Sequence, residues 1–362
     1  MTLSEIATLR IRNQQIEGSE FQTVKELVSW MGAMQAQDFA MVKWAVGLRM
    51  PHSTEKIIDT AYNQGEIIRT HLMRPTWHLV AADDIYWMLE LTAPRIKPLL
   101  KARDKQLELD ELIYAKSNRM LEKVLANGQC LTREELVREY DRVHIRTDEN
   151  RLSHLMLRAE LDGVVCSGPL KATKLTYSLL CDRVPAGKVL TRDEALAELA
   201  TRYFKSHSPA TLRDFVWWSG LSVTDARKAM DMIRFSSVAI GTDTYWLSNS
   251  FSNVPSGKPS IHLLPAYDEF LIGYTDRRAA LATVHNKKAI SENGIFRPVI
   301  LVNGLVTGLW KRNTKKDMVK IETNHFQIHD EEILIAIDKE STRYGLFLNK
   351  KTELTIQSFP ET

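Results

Sequence analysis

Two side-chain amides stand one residue apart in "MGAMQAQDFAMVKW", at Gln35 and Gln37. An amide accepts through its oxygen and donates through its nitrogen, but it takes no proton near neutral pH. Such a pair can orient a water molecule or aim dipoles at a developing charge, and it cannot strongly activate that water. The chemistry open to it needs a leaving group that is already activated. The plain alternative is polar surface where the amphipathic helix "TVKELVSWMGAM" runs out.

Other constellations offer less. Asp268 and Glu269 are neighbours in "IHLLPAYDEFLIGY", which reads as a strand, so they point to opposite faces and cannot flank one scissile bond. His325 and His329 would share a strand face, but no Cys, Asp or Glu spacing completes a ligand set, so they are read as a satisfied surface pair. The chain has no phosphate-cradling glycine loop and no Gly-x-Ser-x-Gly turn. No metal and no cofactor is expected.

The elements that must position the amides belong to a globular chain. At 362 residues, 44% hydrophobic and 26% charged, it is long enough for several domains, each with its own core. No apolar run is long enough to span a bilayer, and the N-terminus lacks the apolar centre of a signal peptide. Cys130, Cys166 and Cys181 are an odd number at unrelated spacings, as expected of reduced thiols in a cytoplasm. The net charge of +3 does not announce nucleic acid. The densest basic cluster, "KRNTKK", carries Lys311, Arg312, Lys315 and Lys316, which could meet phosphates or form a solvated loop.

A repeat organises the middle of the chain. "LTREEL" from Leu131 returns as "LTRDEA" from Leu190, and Thr132 with Glu135, like Thr191 with Glu194, forms a capping box that opens a helix. In the first copy "ENRLSHLMLRAELDG" carries the stripe Leu152, Leu155, Met156 and Ala159, with Arg151, His154 and Arg158 off it. The strands "VVCS" and "KLTYSLL" follow. In the second copy Gly220 ends one helix, and Ser222 with Asp225 opens another that exposes Arg227 and Lys228 while Val223, Ala226, Ala229, Met230 and Ile233 face inward. The first hundred residues follow the same plan more loosely: a capping box at Thr23 and Glu26, a helix from Thr54 to Asn63, and a hairpin of "EIIRTHLMR" and "TWHLVAA" broken by Pro75. From about Ser260 the pattern turns to strands, "RPVILVNGLVTGLWKR", "ILIAIDKE", "YGLFLNKK" and "ELTIQSF", with Asn303-Gly304 as a type I′ hairpin turn.

The predicted fold class is therefore α+β: three tandem winged helix-turn-helix units, at 1–110, 111–185 and 186–257, and a small C-terminal β-barrel at 258–362. Trp217 and Trp218 are read as core. Arg69, Arg74 and His78 lie in the first hairpin, where they could press against a DNA backbone or bond within the hairpin. Asp38 is read as the N-cap of "FAMVKWAVGL".

Five stretches, "GAMQAQDFAMVKWAVGLR", "IIRTHLMRPTWHLVAADDIYWML", "PATLRDFVWWSGLSVTDARKAM", "LLPAYDEFLIGYTDR" and "FRPVILVNGLVTGLWKR", resemble in that order the signature blocks of the AlkZ-type winged-helix DNA glycosylases. The resemblance runs essentially end to end. It implies a scaffold curved around duplex DNA and a Gln-aliphatic-Gln catalytic element, which Gln35, Ala36 and Gln37 match. It also implies the family branch that unhooks interstrand crosslinks, since a similar branch has Asp where this chain has Gln37. His71 and Pro75 depart from the aromatic and the glycine of the family's hairpin block. Asp268 lies in a shared block and could support catalysis or lock the last domain to the first.

The function expected from the resemblance is a monofunctional glycosylase acting on N7- or N3-alkylated purines in damaged or crosslinked double-stranded DNA. Alkylation makes the base a cation, which weakens the glycosidic bond without a general acid. The small Ala36 beside Gln37 suggests an open cleft reached without full extrusion of the base. The competing expectations are a winged-helix transcriptional regulator with inert glutamines, and a relative that only shelters lesions. No membrane, no obligate protein partner and a place in the cytoplasm at the nucleoid complete the reading.

Overall fold

The structure is a computed structural model that describes residues 1–248 and 260–357. Helix α1 (Leu3–Asn13) leads to α2 (Val24–Met31), which opens on the predicted capping box and buries Val24, Leu27, Val28 and Met31. A two-residue strand β1 (Met34–Gln35) precedes α3 (Phe39–Arg49) and α4 (Glu55–Gln64). Strands β2 (Ile67–Leu72) and β3 (Thr76–Ala81) form the predicted hairpin, and β1 pairs with β3 in a sheet of order β1-β3-β2. Both faces of this small sheet are covered. Ile67 and Leu79 pack into a core shared with α2, α3 and the C-terminal sheet, whereas Ile68, Leu72 and Val80 pack into a second core.

The long helix α5 (Ile85–Gln106) leads to α6 (Glu111–Val124), β4 (Leu131–Thr132), α7 (Arg133–Arg142) and α8 (Arg151–Leu161). The hairpin β5 (Val165–Lys171) and β6 (Lys174–Leu179) completes a sheet of order β4-β6-β5. Of the polar residues on α8, Arg158 reaches Glu111 and Asp162, His154 holds Asp104 at 2.8 Å, and Arg151 is buried. The short α9 (Leu180–Arg183) is followed by α10 (Arg192–His207), α11 (Leu212–Ser219), α12 (Val223–Asp231) and the ribbon β7 (Ser236–Ile240) with β8 (Asp243–Leu247). On α12 Ala226 and Ala229 are buried and Met230 is half-buried, as is Ile233 just beyond the helix, but Val223 is exposed, contrary to expectation. The expected boundary at 257/258 lies outside the described residues.

The C-terminal unit departs most from the sequence reading. Its strands β9 (Ile261–Leu264), β10 (Val299–Val302), β11 (Leu305–Thr314), β12 (Met318–His325) and β13 (Lys351–Gln357) make an open sheet of order β13-β12-β11-β10-β9, and among the described residues there is no closed barrel. "DEFLIGY" is not strand; Asp268 caps the single-turn helix α13 (Glu269–Ile272), and another short helix, α14 (Asn286–Ala289), follows. "ILIAIDKE" and "YGLFLNKK" supply one helix, α15 (Glu331–Phe347), capped by Asp330. The reason lies in the topology: β12 and β13 are parallel, and a parallel pair needs a crossover of a dozen or more residues, usually helical. Asn303 and Gly304 both take positive φ, +50° and +82°, as a type I′ turn requires.

Candidate active site

The Gln35-Ala36-Gln37 tripeptide is the joint between β1 and α3. Gly32, at φ +76°, ends α2, and Asp38 begins α3 by accepting the Met41 N–H at 3.0 Å, the predicted capping role. Between these stops the backbone is held at each step. The Gln35 N–H donates to Glu269 Oε1 at 2.6 Å, the Ala36 N–H donates to the Trp77 carbonyl at 2.7 Å, and Arg69 Nε donates to the Ala36 carbonyl at 2.9 Å. Ala36 is fully buried, so its smallness serves packing and opens no cleft.

The two glutamines are presented differently. Gln35 is buried, and its Oε1 accepts from Arg74 Nη2 at 3.1 Å and Thr76 Oγ1 at 3.4 Å. A guanidinium only donates, so the amide oxygen must face it and the amide nitrogen is left to donate elsewhere. Gln37, one residue past the buried alanine, is exposed.

Glu269 anchors the joint from behind. It is 1% exposed, and its Oε2 also accepts from Trp218 Nε1 at 3.0 Å and His207 Nε2 at 3.3 Å. Burial lowers the pKa of His207 against the opposing pull of Glu269, and because a carboxylate only accepts, Nε2 presents its N–H to it. Asp268 has a separate task. Arg49 meets it in a two-pronged ion pair at 2.8 Å on each prong, with both side chains buried, tying α3 to the C-terminal unit. The expectation that these carboxylates sit on opposite faces of a strand is replaced by a cap and a first-turn residue of α13.

The remaining predicted residues fall in several places. Arg74 belongs to the site: besides Gln35 it reaches the Trp217 carbonyl at 3.4 Å, and burial lowers its pKa while Glu269 opposes that shift. Arg69 and His78 do not face a surface that DNA could touch. Arg69 is 8% exposed and lies over the Trp77 ring at 3.9 Å. His78 is fully buried, and its Nδ1–H donates to the Thr76 carbonyl at 3.0 Å. Burial, with Arg74 nearby, pushes its pKa well below the usual value. Both are inside because each face of their hairpin is covered by a core.

His71 lies tilted against Trp77, with ring centroids 3.9 Å apart, and its Nδ1 meets the Glu160 carboxylate. Arg312 hydrogen-bonds the Tyr344 hydroxyl and lies 4.0 Å from Asp38, next to Gln37, so the basic "KRNTKK" hairpin adjoins the joint. Lys311 is exposed and paired with Glu322 at 2.8 Å; on α12, Arg227 is exposed and Lys228 pairs with Asp193 at 2.6 Å. His325 is buried and not a surface group, with its ring 5.1 Å from that of His329 and its pKa pushed down to about 4 by burial. Among the described residues no three His, Cys, Asp or Glu side chains are grouped to hold a metal.

Two residues escaped the sequence reading. Trp218 is fully buried as expected, but Trp217 is 40% exposed. Neighbours on a helix point about 100° apart, so on a helix with one covered face the neighbour of a fully buried tryptophan is turned toward the rim, and that signal was available. Glu269 gave no such signal, because its partners come from β1, α10 and α11.

No described helix is long and apolar enough to cross a membrane. A family model described as DNA glycosylase AlkZ-like matches residues 28–347. An interstrand DNA cross-link repair glycosylase of Streptomyces sahachiroi is 24% identical over 328 residues, covering 85% of this chain and 87% of that protein. The solved structure of Streptomyces sahachiroi DNA glycosylase AlkZ, at 20% identity, has the same fold, with a TM-score of 0.81 over 99% of this chain and 100% of that one. With its mixed α/β architecture and a family match reaching from α2 to α15, the chain belongs to the AlkZ-like DNA glycosylase family.

Proposed function

We propose that this chain is a monofunctional DNA glycosylase that hydrolyses the N-glycosidic bond of N7- or N3-alkylated purines in duplex DNA. Adducts that bridge the two strands are included, as the name of the Streptomyces relative suggests. The observation that carries the reading is the Gln35-Ala36-Gln37 joint, whose backbone is fixed on both sides while Gln37 stands exposed. Gln35, with its oxygen occupied, donates to the attacking water, and Gln37 accepts a hydrogen from it. The water is thereby oriented toward the anomeric carbon. The cationic purine leaves as a neutral base, the sugar passes through an oxocarbenium-like state, and the added water loses its proton to solvent. No metal, cofactor or protein acid is required.

In this reading the units at 1–110, 111–185 and 186–257 act as winged helices along the duplex, and 258–362 carries the hairpin of Lys311 and Arg312. Arg227 and Lys228 on α12, with Lys311 and Arg312, meet the phosphate backbone. The exposed pairs of Lys228 and Lys311 are worth little in water and exchange readily for phosphate. Arg74 works from beside Gln35, and Asp268 supports the joint through Arg49. Bulky adducts reach the exposed Gln37 from an open side, and acting on DNA places the protein at the nucleoid. Family membership favours this enzyme over a transcriptional regulator.

The test is incubation with a duplex carrying one N7-alkylguanine and with a defined crosslink, followed by alkali to reveal abasic sites. Gln35→Ala and Gln37→Ala should lose most excision and keep DNA binding. Full activity in Gln37→Ala refutes the assignment.

A further inference from the structure

Trp217 lies in the block "FVWWSG", keeps 40% of its surface exposed and is nevertheless anchored by its neighbours. Its indole N–H donates to the Ile272 carbonyl at 2.8 Å. Two guanidinium groups flank the ring, Arg74 at 5.3 Å and Arg277 at 5.7 Å from its centroid. Arg277 is itself anchored by the Leu271 carbonyl at 2.8 Å and lies 5.0 Å from the Phe296 ring. Arg74 joins the tryptophan to the joint, donating to the Trp217 carbonyl with one nitrogen and to Gln35 Oε1 with the other.

The hairpin tip that carries Arg74 rests on the end of α11. A side chain at Gly220, where φ is +69°, would begin 2.5 Å from the Met73 carbonyl, so only glycine allows this approach. An exposed indole, fixed on three sides and one guanidinium away from Gln35, is a preorganised flat surface and not a leftover core residue.

We propose that Trp217 is a stacking platform for an uncharged nucleobase next to the lesion, with Arg74 and Arg277 meeting the phosphates on either side of it. The proposal rests on the reading that the glycosidic bond is cut at the Gln35-Gln37 joint. An uncharged base is specified because two cations already lie against the ring, and the alkylated purine would be a third. A neighbouring base of either strand meets no such repulsion, and every base has a π-face, so the contact is independent of sequence.

The test uses the full chain, Trp217→Ala, Trp217→Phe, and duplexes carrying either one N7-alkylguanine or a tetrahydrofuran abasic analogue at the same position. Base stacking on an aromatic side chain is worth roughly 5- to 150-fold in affinity. Trp217→Ala should raise the half-saturating DNA concentration by about that factor, with a smaller effect on the rate at saturating DNA. Trp217→Phe should recover most of the loss and melt with the parent chain. Binding of the abasic duplex should quench tryptophan fluorescence in the parent chain, and Trp217→Phe should lose that part of the quench.

Unchanged half-saturation in Trp217→Ala overturns the proposal. So does a quench seen with the alkylguanine duplex and absent with the abasic one, which would place the lesion base itself on the ring. Failure of the parent chain to excise anything would overturn the enzymatic reading, whereas the abasic duplex tests the platform without chemistry.

Discussion

Replacing Glu269 by glutamine changes one atom of a buried side chain and should be felt at Gln35. The carboxylate accepts three hydrogen bonds, from Gln35 N on one oxygen and from Trp218 Nε1 and His207 Nε2 on the other, at 2.6, 3.0 and 3.3 Å. An amide has one oxygen, so its nitrogen must confront donors on one side. Placing that nitrogen toward Trp218 and His207 opposes the indole N–H, since His207 can carry its proton on Nδ1 toward the Ser206 hydroxyl, and placing it toward Gln35 opposes the backbone N–H. Either way one donor is left unpaired, at Gln35 itself or at Trp218 directly behind it, and the joint shifts. One buried donor without a partner costs about 1 to 3 kcal/mol. For a unit of this size that lowers the melting temperature by about 2 to 12 °C. A displacement of about 1 Å in a positioning group costs on the order of 100-fold in rate. The expected result in single-turnover excision of N7-alkylguanine is a fall of about 10- to 100-fold, with DNA affinity little changed because Glu269 is 1% exposed. A variant that melts lower yet excises within twofold of the parent would refute the claim that this carboxylate positions Gln35.

Two further outcomes follow from buried charges. Arg49→Met leaves the Asp268 carboxylate buried without its partner and should cost about 3 to 5 kcal/mol in urea denaturation, while adding Asp268→Leu should recover much of it. His325, held near a pKa of about 4 by burial, stays neutral while an unfolded histidine protonates below about 6.5. The unfolded chain therefore binds more protons between these values, and stability falls as pH drops from about 6.5 to 4, by up to about 3 kcal/mol from this group. His325→Gln should flatten that limb of a urea-midpoint profile, and an unaltered profile would discount the residue.

How much of this was legible depends on the range of the interactions. The capping boxes at Thr23, Thr132 and Thr191 were readable because both partners lie three residues apart. The hairpin at Asn303-Gly304 and the stripe of α2 were readable for the same reason: local sterics and spacing decide them. The segment of α15 reads as two strands in sequence, because its short apolar runs suit either period and only the parallel pairing of β12 with β13 arbitrates. For Arg69 and His78 the sequence leaves DNA contact and bonding within the hairpin equally open, because spacing alone does not say whether both faces of a hairpin are covered. Here a second core covers the other face.

By itself the sequence determined the helices that begin at capping boxes, the hairpins, and a tripeptide of two amides around an alanine, all set by contacts within a few residues. Only the tertiary structure decided that Gln35 turns inward to Arg74 while Gln37 stays out, and that Glu269, 234 positions away, holds the joint. It alone set Trp217 beside them. Those facts depend on which distant donors meet a buried acceptor, and a buried polar group is satisfied by whatever the packing brings to it, at any separation along the chain.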